Sequence, residues 1–163
     1  MSHFLQDMQV GHQIDLGHFT FTADHIKRFA ALYDPQPFHM DEDAAKQSHF
    51  GALCASGWQT ASIWMRLYVL YSQKEAGKLE QQGQPVAQMG PGLGAKNLRW
   101  IKPVYSGDTL HYFTTVTAKR PSESRPGWGL VSARNYATNQ DGVLVFECET
   151  TAFLQRRVDG HSA

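Results

Sequence analysis

Apolar and polar residues alternate at Ile14 and Leu16 and, beyond Gly17, at Phe19 and Phe21. A period of two marks a half-buried strand, and the glycine at its centre marks a bulge. The period then changes. Ile26, Phe29, Ala30 and Tyr33 recur at helical spacing behind Thr22, a good N-cap, which predicts a helix over Ala23–Tyr33. Pro35 and Pro37 stop that helix and hold the next residues extended. Asp41 is placed to cap a short helix from Glu42 to about Gln47. A longer helix is predicted from Gly57 or Trp58 to about Glu75, with Gly77 as its stop. Ala61, Trp64, Met65, Tyr68 and Val69 form its apolar stripe, and Ile63, Leu67, Leu70 and Tyr71 carry apolar character round much of the circumference. Such a helix is normally wrapped by other structure.

The second half reads as strands. Lys96–Lys102, Asp108–Ala118, Gly129–Thr138 and Val143–Phe153 are rich in β-branched and aromatic residues. Turn signals separate them at Pro103 with Ser106-Gly107-Asp108, at Pro121 to Gly127, and at Asn139 to Gly142. Gly90-Pro91-Gly92-Leu93-Gly94 reads as a flexible lead-in; without a Gly-Lys-Ser/Thr ending or a following helix it is not a nucleotide-binding loop. The expected fold class is α+β, one long buried helix followed by a meandering antiparallel sheet that curls around it.

Composition narrows the function classes. The 163 residues suit a single domain spanning 1–163, with a frayed tail from about residue 155. At 42% apolar residues it needs no disulfide or metal staple to hold a core. Fifteen Lys and Arg balance fifteen Asp and Glu, which argues against a nucleic-acid binder and against a polybasic membrane anchor. The most apolar stretch, Ile63–Tyr71, is interrupted by Arg66 and far short of the roughly 20 residues a bilayer span requires. The N-terminus lacks the features of a signal peptide, so a cytoplasmic location is expected. Cys54 and Cys148 are far apart, and Cys54 reads as a buried structural thiol. No His-x-His or His-x₃-His pair occurs among the eight histidines, so no metal is expected.

The candidate chemistry lies in Asp34-Pro35-Gln36-Pro37-Phe38-His39. A carboxylate and an imidazole sit five residues apart on a stiffened backbone, and an acid/base pair works only when held within reach of one proton. Read alone, the stretch is equally a proline-rich connector. Further on, Ala55-Ser56-Gly57 precedes the long helix. There a glycine N–H at a helix N-terminus is a donor suited to a developing oxyanion, and Ser56 is the natural cap.

Asp34-x-Gln36-Pro37-Phe38-His39 resembles the D-x-N-P-[LIV]-H signature of the MaoC-like dehydratases, the (R)-specific enoyl-CoA hydratase family of hot-dog proteins. The resemblance continues through Met40-Asp41-Glu42, Phe50-Gly51 and Ser56-Gly57, and resumes at Leu98–Leu110 with its Pro103-Val104-x-x-Gly107-Asp108 segment. It implies a hot-dog fold, a long helix wrapped by an antiparallel sheet, assembled as a homodimer or a dimer of dimers. It also implies a hydratase or dehydratase acting on an acyl thioester of coenzyme A or of an acyl-carrier protein, with no further cofactor. Asp34 and His39 would hold the water, with Gln36 and Ser56 beside them, and the Gly57 N–H would polarise the thioester carbonyl. Trp58, Trp64 and Met65 become candidates for the acyl pocket. Lys96, Arg99, Lys102, Arg120 and Arg125 are candidates for the coenzyme's phosphates, each also readable as solvated surface charge.

The chain departs from the pattern at three places. Tyr33 stands where the family has glycine, Gln36 where it has asparagine, and Met65 where some members carry a hydroxyl that supports the aspartate. Thr60 or Ser62 is the expected replacement for that hydroxyl. Two other readings are a hot-dog thioesterase, which would attack the carbonyl carbon, and a non-catalytic acyl-thioester-binding subunit.

Overall fold

The computed structural model describes residues 3–157. After a short 3₁₀ turn, Leu5–Asp7, the chain runs β1 (Gln13–Thr20), α1 (Ala23–Tyr33), α2 (Pro37–Met40), α3 (Glu42–Gln47) and α4 (Gly57–Gln81). Four strands follow: β2 (Met89–Trp100), β3 (Thr109–Pro121), β4 (Trp128–Thr138) and β5 (Leu144–Gln155). All pairings are antiparallel, and the sheet order is β1-β3-β4-β5-β2. The 25-residue α4 packs against this sheet, the α+β hot-dog arrangement.

The helix starts follow the local chemistry. The Thr22 and Asp41 side chains accept from the first-turn amides of α1 and α3, and Ser56 accepts from Trp58 N–H on α4. The bulge in β1 is at Gly17, whose φ of +90° few other residues adopt cheaply. The main core fills the space between α4 and the sheet with Phe21, Ile26, Trp64, Tyr112 and Phe146. A smaller cluster, including Leu5, Met8 and Leu154, seals the open end beneath the N-terminal segment.

Several expectations are corrected. α4 continues through Gly77 to Gln81 because Leu79, two residues further on, is buried, and burying a leucine outweighs the roughly 1 kcal/mol a helical glycine costs. The glycine that ends it is Gly83, at φ +67°. Gly90–Gly94 is the first half of β2, an irregular strand paired with β5. The four strands do not form a simple meander: β3, β4 and β5 do, but β2 pairs with β5 at the far edge while β3 pairs with β1. Turn residues say where a chain reverses but not which strand receives it. Residues 37–40 form a helical turn instead of an extended segment, since Pro37 sits at its first position, where a missing N–H costs nothing. Tyr33 is 71% exposed and leans on Phe29 at the rim of α1.

The tail expected from about residue 155 begins later than its first residues suggest. β5 includes Gln155, and Arg157 forms a two-pronged ion pair with Asp7 at 2.7 and 2.8 Å. Its remaining residues, 158–163, lie outside the described residues. α4 is not fully wrapped by its own chain. Trp58, Met65 and Val69 on one side are 57%, 48% and 42% exposed. No described helix is long and apolar enough to cross a membrane.

Candidate active site

Asp34 is the residue at which α1 stops; its N–H bonds to Ala30 O at 2.9 Å while its backbone leaves helical geometry. Pro35 and Pro37 then turn the chain into α2, which carries His39 back toward that carboxylate. His39 Nε2 lies 3.4 Å from Asp34 Oδ2. The imidazole is buried, and its Nδ1 lies 2.7 Å from the carbonyl oxygen of Cys54. A carbonyl only accepts, so Nδ1 carries the proton and Nε2 is the atom presented to Asp34.

Asp34 is held as a carboxylate. Burial pushes its pKa up, but hydrogen bonds from the Ser56 hydroxyl and the Gln36 amide, with the nearby His39, together bring it below its ordinary value of 3.8. Gln36 Nε2 donates to Asp34 Oδ1 at 2.8 Å, so the longer amide reaches the catalytic carboxyl candidate itself. The expected substitute hydroxyls do otherwise. Thr60 Oγ1 reaches back 3.5 Å to Ser56 O, and Ser62 Oγ donates to Trp58 O at 2.8 Å. The hydroxyl beside Asp34 is that of Ser56.

Ser56, Gly57 and the start of α4 form the opposite wall. Trp58 N–H bonds to Ser56 Oγ, and the amides of Gln59 and Thr60 bond to Ser56 O. The Gly57 N–H has no acceptor among the described residues. The segment Pro103–Asp108 supports this wall from behind. Ala55 N–H donates to Val104 O at 2.7 Å, Ser106 N–H to Leu53 O at 3.0 Å, and Tyr105 OH to Phe50 O at 3.1 Å. Gly107, at φ +99°, makes the turn and donates to Phe21 O. The second matching segment thus braces the strip that holds Cys54, Ser56 and Gly57.

Between these walls is a cavity of about 430 Å³, lined by Asp34, Gln36, His39, Ser56, Gly57 and Trp58 among others. Trp64 and Met65 are elsewhere. They line a second, strongly apolar cavity of about 410 Å³ between α4 and β2, with Tyr68, Val69 and Met89. There Trp64 Nε1 donates to Thr114 Oγ1, which donates to the fully buried Asn135. Of the five basic residues, Lys102 alone lines the first cavity. Lys96 and Arg99 are paired with Glu149 and Glu147, and Arg125 lies over the Phe153 ring. The Cys54 thiol is pushed up to about 11 by burial, and the chemistry of that residue is in its carbonyl. Sequence reasoning missed that role, and missed Trp100 on the cavity wall, because each acts across long sequence separations. Among the described residues no cluster of three or more His, Cys, Asp or Glu could hold a metal ion.

A long helix on a five-stranded sheet, with an Asp/His pair carried by the end of α1 and by α2 and facing the start of that helix, defines a hot-dog protein of the hydratase type of architecture. The model of the MaoC like domain matches residues 7–131, and the chain belongs to that family. It is 30% identical over 152 residues to YdeM of Bacillus subtilis, an uncharacterised protein, covering 93% of this chain and 99% of that one. It is similar to the crystal structure of a MaoC-like dehydratase from Rhodospirillum rubrum, with 38% identity, a TM-score of 0.78 and coverage of 96% and 99%. It also resembles the (R)-hydratase from A. caviae involved in PHA biosynthesis, with 25% identity, a TM-score of 0.64 and coverage of 93% and 99%.

Proposed function

We propose that the protein adds water across the double bond of trans-2-enoyl thioesters, or removes it from 3-hydroxyacyl thioesters, with Asp34 and His39 as the catalytic pair. The observation that carries this reading is the separation of 3.4 Å between Asp34 Oδ2 and His39 Nε2, in a cavity that Gly57 also lines. A carboxylate accepts, and with the ring proton on Nδ1 so does His39 Nε2. A water between them donates one hydrogen to each and keeps a lone pair for the substrate. In hydration one of the pair takes a proton from the water as the oxygen bonds to C3; that proton passes across the pair and is delivered to C2, so one water supplies both the hydroxyl and the hydrogen added and the pair ends as it began. The Gly57 N–H, without an acceptor among the described residues, would bond the thioester oxygen as negative charge develops there. The fold supplies the tautomer: with Nδ1–H given to Cys54 O, Nε2 is left for chemistry.

Coenzyme A is the proposed carrier, with Lys102 at the cavity meeting its phosphates. The exposed side of α4 and the outer edge of β2 are proposed to be covered by a second copy. The test is to incubate the chain with short, medium and branched trans-2-enoyl-CoA esters, following water addition by mass and free coenzyme A with a thiol reagent. Asp34→Asn and His39→Gln should each lower hydration by roughly 10²–10⁴-fold, the usual worth of positioned acid–base groups. Thiol release without hydration would instead indicate a thioesterase.

A further inference from the structure

Gly57 is a glycine for a reason that its own backbone does not give. Its φ is not among the left-handed values found at seven other glycines, so the conformation alone would accept a side chain. Space would not. A Cβ on Gly57 would lie 2.5, 2.6 and 2.7 Å from three atoms of the Trp100 indole, a rigid ring that cannot swing away at one end. Trp100 is the last residue of β2, 43 positions further along, and its Nε1 donates to Gly57 O at 2.8 Å. Trp58 meets the same indole edge to face, at 5.0 Å between centroids.

Burial alone does not account for this tryptophan, which is 43% exposed. Its ring covers the Gly57 Cα and its N–H holds the following peptide group. The three neighbouring first-turn amides are already tied to Ser56, so the Gly57 N–H is the first-turn donor left for a ligand. We propose that Trp100 is a positioning residue: by seating its indole on Gly57 it aims the one free first-turn amide of α4 at the thioester carbonyl. The proposal rests on the hydratase reading above. Trp100 itself touches no reacting atom; it limits how far the donor can drift, and a misplacement of about 1 Å at such a site is worth roughly 10²-fold in rate.

The test uses the full chain and the trans-2-enoyl-CoA ester the wild type hydrates best. Trp100→Phe keeps a ring but removes the N–H; kcat should fall roughly tenfold with KM nearly unchanged, because the lost interaction matters in the transition state. Gly57→Ala should lose roughly 10²-fold or more. The double variant Gly57→Ala/Trp100→Ala, in which the methyl finds room, should recover at least about tenfold over Gly57→Ala. Thermal melting of each variant accompanies the kinetics, so that kcat is read only from folded protein. Full kcat in Trp100→Phe, with a double variant no faster than Gly57→Ala, overturns the positioning role while leaving the hydratase reading intact. A wild type that hydrates no ester in the panel overturns the parent reading instead, and the melting data still report whether positions 57 and 100 are coupled.

Discussion

Asp34 carries four influences on one carboxyl group, and their sum sets the acid limit of the site. Burial raises its pKa; Ser56, Gln36 and His39 together lower it further than burial raises it. A group whose folded pKa lies below its ordinary value stabilises the fold above that value and loses the contribution as pH falls through the folded pKa. The loss of kcat/KM due to Asp34 protonation is therefore expected below pH 3.8, the ordinary value. Gln36→Ala and Ser56→Ala should each shift that limb upward, and a pH–rate profile of the three proteins checks it. Lys102, exposed at the cavity and free of any ion pair among the described residues, gives a second residue-scale expectation. Lys102→Ala should raise KM for a coenzyme A ester severalfold, leave kcat nearly unchanged and flatten the salt dependence of KM. Asp34, His39, Ser56 and Gly57 were legible because all lie within the motif or at a helix start. The Cys54 carbonyl and the Trp100 ring were not: any residue has a carbonyl, and Trp100 reads as an ordinary strand aromatic.

Elements followed their local signals wherever one chain segment could satisfy its own backbone. Caps at Thr22, Asp41 and Ser56 begin three helices, and strand composition located most of β3, β4 and β5. The end of α4 shows where local rules compete. Gly77 reads as the stop, and burial of Leu79 beyond it carries the helix on to Gln81, short of Gly83. Opposite effects of the same substitution are expected. Gly77→Ala, in open space within the helix, should stabilise by about 0.5–1 kcal/mol. Gly83→Ala, forced to φ +67°, should cost about 1–2 kcal/mol. Urea unfolding of the two variants checks both signs. β2 is the element whose sequence is least strand-like, since three glycines occupy its first half. Gly90 is required there by Phe153 and Trp128, which would meet a Cβ at 2.8 and 3.0 Å.

At the scale of the whole molecule, a strand edge and an apolar stripe stand uncovered among the described residues. Among the described residues β2 pairs only with β5, and its other edge is open beside the exposed Met65 and Val69 of α4. An unprotected strand edge next to an apolar stripe is a surface for pairing, and a second copy offers a self-complementary cover. Sedimentation of the wild type is expected to give twice the 18.3 kDa of one chain. Val69→Glu should shift it toward the monomer and lower hydratase activity, and a monomeric, fully active wild type would refute the pairing. The sequence by itself determined most element types, the capping residues and the Asp34–His39 motif, because these depend on neighbours within a few positions. The tertiary structure decided the strand order, the tautomer imposed on His39 by Cys54, the split of the tryptophans between two cavities and the close approach of Trp100 to Gly57. Those depend on which distant backbone groups find each other when α4 settles on the sheet, and no local pattern of hydrophobic spacing encodes that choice.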